Sequence, residues 1–434
     1  MQRHTWLNRL WSVALMMVTL ALAACGAAAT ATSAPPPSAT RGAAASVAPS
    51  ASASVSSAVP STSAVASSAA ASAATSGSPV AGGATKEVKL GVVLSLTGDN
   101  QIYGNPQRNA IQLAIDEINA AGAIPGVKLT AIIEDDGGTK DKGITAFDKL
   151  IKTDNVTAII GPTLSNTALA TFPIAQQAGV PSLGVSTTAN GIVELGDYIF
   201  RDSLGEAQVI PTTVKTAKDK LGLKKVAIIY GIDNAFTKSG YDVFKKACDD
   251  NGLQITSTQS YGKDDTDYSA QLTAIKGTNP DAIIISALAE GANIAKQARE
   301  LGIDAKITFI GGNGLNSPAY IKNSGPAGEG TIVGAAWNSS NDNAANQKFI
   351  AAYKAKYNAD PDQFAAQAYT GVYIMAEAIK KAGPTVDRKS LRDALVGIKG
   401  LATPLGTFGF QADRNADHPP VIQVVKAGKF EVLK

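Results

Sequence analysis

Short apolar runs alternate along most of the chain with segments in which apolar residues recur every three or four positions. Val88–Leu94 is a run of the kind expected of a strand buried on both faces. After the loop Thr97–Gly104, the residues Ile111, Ala114, Ile115 and Ile118 mark one face of a helix that Gly122 ends. The alternation continues with strands at Val127–Ile133, Thr157–Ile160 and Pro181–Gly184 and helices at Gly143–Thr153 and Asn166–Ala178. A second series follows Phe200-Arg201. It predicts helices at Ala207–Leu221, Lys238–Asn251, Tyr268–Lys276 and Asn293–Leu301, and strands at Lys225–Tyr230, Leu253–Tyr261, Ala282–Ser286 and Lys306–Ile310. Further on, Phe364, Ala368, Val372, Met375, Ala376 and Ile379 line one face of a long amphipathic helix.

Strand alternating with helix implies parallel sheets covered on both faces. The stretch from Lys86 to Lys434 is long enough for two such α/β lobes. In folds of this kind ligands bind beyond the carboxyl ends of the strands, where loops and helix N-termini present backbone N–H groups.

The N-terminal region has a different character. Arg3 and Arg9 precede an apolar core, Val13–Ala24, which is too short to span a bilayer and suits an export signal. It ends in Leu22-Ala23-Ala24-Cys25, which resembles a bacterial lipobox, so residues 1–24 read as a lipoprotein signal peptide with Cys25 as the lipidated N-terminus. An ordinary secretory signal with an incidental cysteine is the plainer alternative. From Gly26 to Thr85 a run of small residues, Pro and Val carries one charge, Arg41, and too few large apolar side chains for a core. Residues 25–85 are expected to be a disordered tether, with a mean end-to-end distance of about 40–45 Å.

Composition removes several classes of function. A net charge of +3, with both signs interspersed, offers no basic stripe for nucleic acid. Two cysteines cannot build a disulfide framework, and Cys248 reads as a small core residue. With His4 in the leader, His418 is the single histidine of the body, so no site of several histidines for a metal is available. Gly184-Val185-Ser186-Thr187-Thr188 is not a nucleophile elbow, and no phosphate-binding Walker loop occurs. Asp135-Asp136 reads as turn capping, since neighbours in an extended segment point opposite ways. No catalytic residue, cofactor or metal is expected.

Val88–Tyr103 (VKLGVVLSLTGDNQIY), Ala110–Gly122 (AIQLAIDEINAAG), Ile159-Ile160-Gly161-Pro162 and Gly179–Asn190 (GVPSLGVSTTAN) together resemble the type I periplasmic binding proteins for leucine, isoleucine and valine. The likeness extends through Tyr198–Arg201, Asp267–Ser269, Lys296–Arg299 and Phe309–Gly312. It implies two doubly wound lobes joined by three crossovers, with lobe 1 at 86–204 plus 333–417 and lobe 2 at 205–332 plus 418–434. It also implies a monomeric extracytoplasmic receptor that delivers a small solute to an ABC permease. A sensory ligand-binding subunit is the alternative on the same fold.

Ser165, between a strand and a helix, reads as an N-cap; most caps are structural, yet the same geometry aims a hydroxyl at an anion. The resemblance makes it a contact for the ligand carboxylate. It further implies a backbone carbonyl from Ser186 for the α-amine, a hydroxyl and N–H from Thr188, and aromatic cleft walls from Tyr103 and Phe236. Asn313, in Gly311-Gly312-Asn313-Gly314, stands where amino-acid receptors of this family carry an acid that pairs the ligand ammonium. A neutral amide supplies no countercharge. Either Glu206 or Glu290 compensates, or the ligand is an amide, a urea-like compound or an amine-free carboxylate. On their own, both glutamates read as solvated surface groups. Arg108 and Arg201 read as surface or structural arginines that could also meet a carboxylate.

Overall fold

The computed structural model describes residues 85–383 and 385–434; the expected signal peptide, Cys25 and nearly all of the tether lie outside them. The first series of elements runs β1 (Lys86–Leu94), α1 (Gln101–Ala120), β2 (Val127–Asp135), α2 (Lys140–Asp148), β3 (Ala158–Ile160), α3 (Ser165–Gln177), β4 (Ser182–Gly184) and β5 (Ile199–Arg201). The second series runs α4 (Glu206–Leu221), β6 (Lys225–Gly231), α5 (Ala235–Asp250), β7 (Gln254–Tyr261), α6 (Ser269–Gly277), β8 (Ala282–Ser286), α7 (Gly291–Glu300), β9 (Thr308–Gly311), α8 (Pro318–Ser324) and β10 (Ile332–Ala335). The chain closes with α9 (Ala344–Tyr357), α10 (Gln363–Ala382), α11 (Arg388–Val396), β11 (Leu401–Thr403), β12 (Gly406–Phe408), β13 (Val421–Lys426) and β14 (Lys429–Val432).

The strands form two main sheets. One is all parallel in the order β2-β1-β3-β4-β5. The other runs β14-β13-β10-β9-β8-β6-β7, parallel from β10 to β7 and edged by the antiparallel hairpin β13–β14. Period-two alternation explains why both faces are covered. Leu90, Val92 and Leu94 pack with the apolar residues of α1 and α10, while Val93 faces the cluster that holds Phe147, Phe172 and Ala175. In the second sheet Ile229, Ile283 and Ile285 face one side, and Val226, Ile228 and Ile284 the other. Each such side chain, fully buried, contributes about 1.5–3 kcal/mol. Cys248 is buried in the second of these layers, as a core residue.

The chain passes between the sheets at 202–205, 336–343 and 411–420. The middle passage lies a few residues beyond the expected boundary, because Val333–Ala335 still pair within the second sheet, in β10. Two expected helices also differ. The one expected at Gly143–Thr153 begins at Lys140 and ends in a wider π turn, Lys149–Thr153. α10, expected to be amphipathic, is buried almost all round, since α1 and α11 pack on it as well.

In each sheet the strand order reverses beside the first strand, between β1 and β3 and between β6 and β8. Loops at such reversals diverge and leave a crevice at the carboxyl ends of the strands. The segments after β1, β3, β4, β6, β8 and β9 carry the candidate ligand contacts.

Candidate functional site

The loop after β3 is held by a closed circuit of hydrogen bonds. Thr163 Oγ1 accepts from the Ser95 N–H (3.0 Å) and donates to Gln107 Oε1 (2.7 Å). Gln107 Nε2 donates to Ser186 Oγ (2.8 Å), which in turn donates to the Thr163 carbonyl (2.6 Å). The Ser186 hydroxyl is therefore spent on structure. The backbone enters this loop through Gly161, at a φ of +103°, where a Cβ would overlap the Val93 carbonyl.

Ser165 is not the N-cap of α3. Leu164, in an extended conformation, takes that position, and its carbonyl accepts from the Ala168 N–H at 3.0 Å. Ser165 is the first helical residue, and its Oγ reaches across to accept the Ala189 N–H at 3.2 Å. That bond ties the loop after β3 to the loop after β4 and leaves the hydroxyl proton to donate. Arg201 is structural: it is buried, donates to the carbonyls of Thr187 (3.2 Å) and Ala189 (2.7 Å), and binds Asn415 Oδ1. Arg108 is exposed on α1. Asp135 and Asp136 cap the turns after β1 and β2, accepting from Leu96, Thr97, Gly137 and Gly138 N–H groups.

Between the two halves lies a narrow cavity. Ser165, Ser186, Thr163, Tyr103 and Phe364 line it from the first half, and Phe236, Leu288, Asn313 and Gly314 from the second. The Tyr103 hydroxyl crosses the cleft to donate to the Gly314 carbonyl at 2.9 Å. A second narrow cavity is lined by Thr188, Glu206, Gly312, Asn313 and Ala336, among others. Asn313 borders both. The structure thus brings Tyr103, Ser165, Ser186, Phe236 and Asn313 together around one cavity, and places Thr188 beside Asn313 in the other.

Glu206 departs most from expectation. It is not a solvated surface group but the first residue of α4, 3% exposed. Burial pushes its carboxyl well above the ordinary range, against the opposing pull of the Ser239 hydroxyl and Arg201. Its Oε2 has no hydrogen-bond partner among the described residues, and neither has the buried Thr188 hydroxyl. Glu290 is half-buried rather than solvated, and accepts from Tyr261 Oη (2.8 Å) and the Leu288 N–H (3.0 Å). It lines a separate, wider recess with Asp233 and Lys263. A glutamate at a helix start satisfies the local dipole while exposed, so its burial here was invisible in the sequence. Gln107 and Gln363, both buried and in contact with the candidate residues, carried no local signal either.

A family profile for periplasmic binding proteins matches residues 87–429. The chain belongs to that family. Leu/Ile/Val-binding protein homolog 3 of Brucella melitensis is 28% identical over 345 residues, covering 78% of this chain and 91% of that protein. The branched-chain amino acid transporter substrate-binding protein LivJ of Streptococcus pneumoniae, solved in complex with isoleucine, superposes with a TM-score of 0.75 at 27% identity, covering 80% of this chain and 98% of LivJ. An ABC-transporter solute-binding protein of R. palustris, solved with benzoate, superposes with a TM-score of 0.73 at 25% identity, covering 81% and 96%. The role these proteins share is solute binding without chemistry, and this family member is a binding protein, not an enzyme.

Proposed function

We propose that this chain is an exported receptor, anchored to the cell membrane through lipidated Cys25, that closes on a branched-chain-type α-amino acid and delivers it to an ABC permease. Ser165 and the N-terminus of α3 take the carboxylate, the Ser186 carbonyl and the Thr188 hydroxyl take part of the ammonium, and Tyr103, Phe236 and Phe364 enclose the apolar side chain. One observation carries the reading: a buried carboxylate with an unpartnered oxygen, Glu206, borders the cavity beside Thr188 and Asn313. Empty, such a group is held neutral by its raised pKa; once ionised it is costly unless a cation pairs it, and an α-ammonium supplies one. Glu206 thereby replaces the acid that Asn313 lacks. The relatives named for leucine, isoleucine and valine support the same ligand class.

The test is calorimetric titration of unfolded and refolded protein, stripped of carried solute, with leucine, isoleucine, valine and their deaminated acids. Tight binding of the amino acids supports the proposal. Binding of the deaminated acids alone would replace it with an amine-free carboxylate receptor. Two observations favour that second reading: the neutral Asn313 and the benzoate-bound relative.

A further inference from the structure

Gln363, the first residue of α10, is a buried side chain of the first half that reaches loops of the second. Its Oε1 accepts the Ala336 backbone N–H at 2.6 Å and Asn316 Nδ2 at 2.7 Å. The Ala336 group decides which way the amide points, because a backbone N–H can only donate. Nε2 is then the atom turned toward Asn313, and it too can only donate. Asn313 meets it with Oδ1 in a short hydrogen bond. What remains of Asn313 is its Nδ2, which has no partner among the described residues and belongs to a side chain bordering both cavities.

The geometry points to Gln363 as the residue that sets the polarity of the ligand subsite at Asn313: with the cleft closed it holds Asn313 as a hydrogen-bond donor, so the ligand group resting there is an acceptor and not a cation. This deepens the function proposed above and rests on it. The ammonium belongs to Glu206 and Thr188, and a carboxylate, carbonyl or hydroxyl oxygen belongs to Asn313. An ammonium aimed at Asn313 would set donor against donor in a closed space, leaving both unpaired. Gln363 reaches Asn313 and Asn316 only across the cleft. Closure and the choice of donor are therefore one event, and an opened cleft frees the Asn313 amide to turn.

The test is Gln363→Glu, titrated at pH 8.5 as the full chain against two probes that share the ammonium, L-leucine, whose carboxylate can only accept, and L-leucinol, whose hydroxyl can also donate. A carboxylate at 363 still accepts from Ala336 and Asn316, but its second oxygen also only accepts. Asn313 must turn its Nδ2 toward it and present Oδ1 to the ligand. Leucine then sets its carboxylate oxygen against an acceptor, whereas the leucinol hydroxyl can donate to it, so the affinity ratio of leucinol to leucine is expected to move at least tenfold toward leucinol. Gln363→Met, which keeps the volume and removes the amide, should move the ratio the same way by less, and serves if the glutamate variant does not fold. Equal weakening of both probes, or a shift toward leucine, would reduce Gln363 to a structural residue and overturn the inference. Failure of the wild type to bind either probe would remove the proposed ligand class and the inference with it. Wild-type binding with an unmoved ratio would remove the inference alone.

Discussion

Replacing Glu206 with Gln keeps the shape of the buried side chain and removes its charge. In the empty protein, burial holds the Glu206 carboxyl above its ordinary range, so it keeps its proton to higher pH than an exposed carboxyl does. An ammonium arriving beside Oε2 favours the ionised form, and the proton leaves as the ligand binds. Breaking a desolvated ion pair by removing one partner costs about 2–5 kcal/mol. Part of that is offset because the wild type must first release its proton. The remaining loss is about 2–3 kcal/mol, or roughly 30–150-fold in Kd for leucine. Below the raised pKa of the empty site, wild-type affinity should climb with pH, by up to tenfold per unit, and level off above it. The Glu206→Gln variant should lack that slope. Stability runs the opposite way. The raised pKa gives the empty protein stability that is complete below the unfolded-state value and lost as pH rises through the folded-state value, and the variant should not show this loss. Titration calorimetry in two buffers of different ionisation enthalpy reads affinity and proton release together. An E206Q protein that binds leucine as the wild type does, with the same pH slope and proton count, would refute the reasoning.

Three further outcomes follow from other parts of the molecule. Tyr103→Phe removes the hydroxyl that spans the cleft to Gly314 and leaves that carbonyl unpaired, so it should weaken the closed form by about 1 kcal/mol; ligand affinity should fall several-fold, with a larger radius in small-angle scattering at half saturation. Asp202, at the first crossover, is fully buried with neither carboxylate oxygen partnered among the described residues, and burial drives its pKa well up. The wild type should therefore melt at progressively lower temperature as pH rises through that folded-state value, and Asp202→Asn should flatten the decline in a pH series of thermal scans. Cys25→Ser should release the protein from the membrane fraction into the soluble exported fraction, read by fractionation and by loss of the acyl mass.

Much of this fold was legible in the hydrophobic pattern because parallel strands buried on both faces read as uninterrupted apolar runs. Val226–Ile229 and Ala282–Ile285 show this directly, sending alternate residues into two different layers. The β13–β14 hairpin was not anticipated: it lies at a sheet edge, where Val421–Lys426 and Lys429–Val432 mix polar with apolar residues. The loops that carry the site could be located, since strand order and loop position follow from the alternation. What their side chains do there could not. Ser165 looked like a cap because it stands between strand and helix, yet the extended Leu164 takes the cap and frees Ser165 for a partner 24 residues away. Glu206 and Gln363 are polar residues at helix starts, where exposure is the ordinary outcome. Their burial depends on segments far along the chain, Gly240 and Ser286 for the one and Asn313 and Ala336 for the other.

In the function proposed above, the cleft encloses an amino acid whose ammonium is balanced by Glu206 in place of the missing acid at 313. A crystal structure of the refolded protein saturated with the branched-chain amino acid it binds most tightly tests this most directly. The α-nitrogen is expected within hydrogen-bond distance of Glu206 Oε2 and Thr188 Oγ1, and the carboxylate against Ser165 at the start of α3. An α-nitrogen resting on Asn313 away from Glu206, or a ligand bound outside the interlobe cavities, would contradict it.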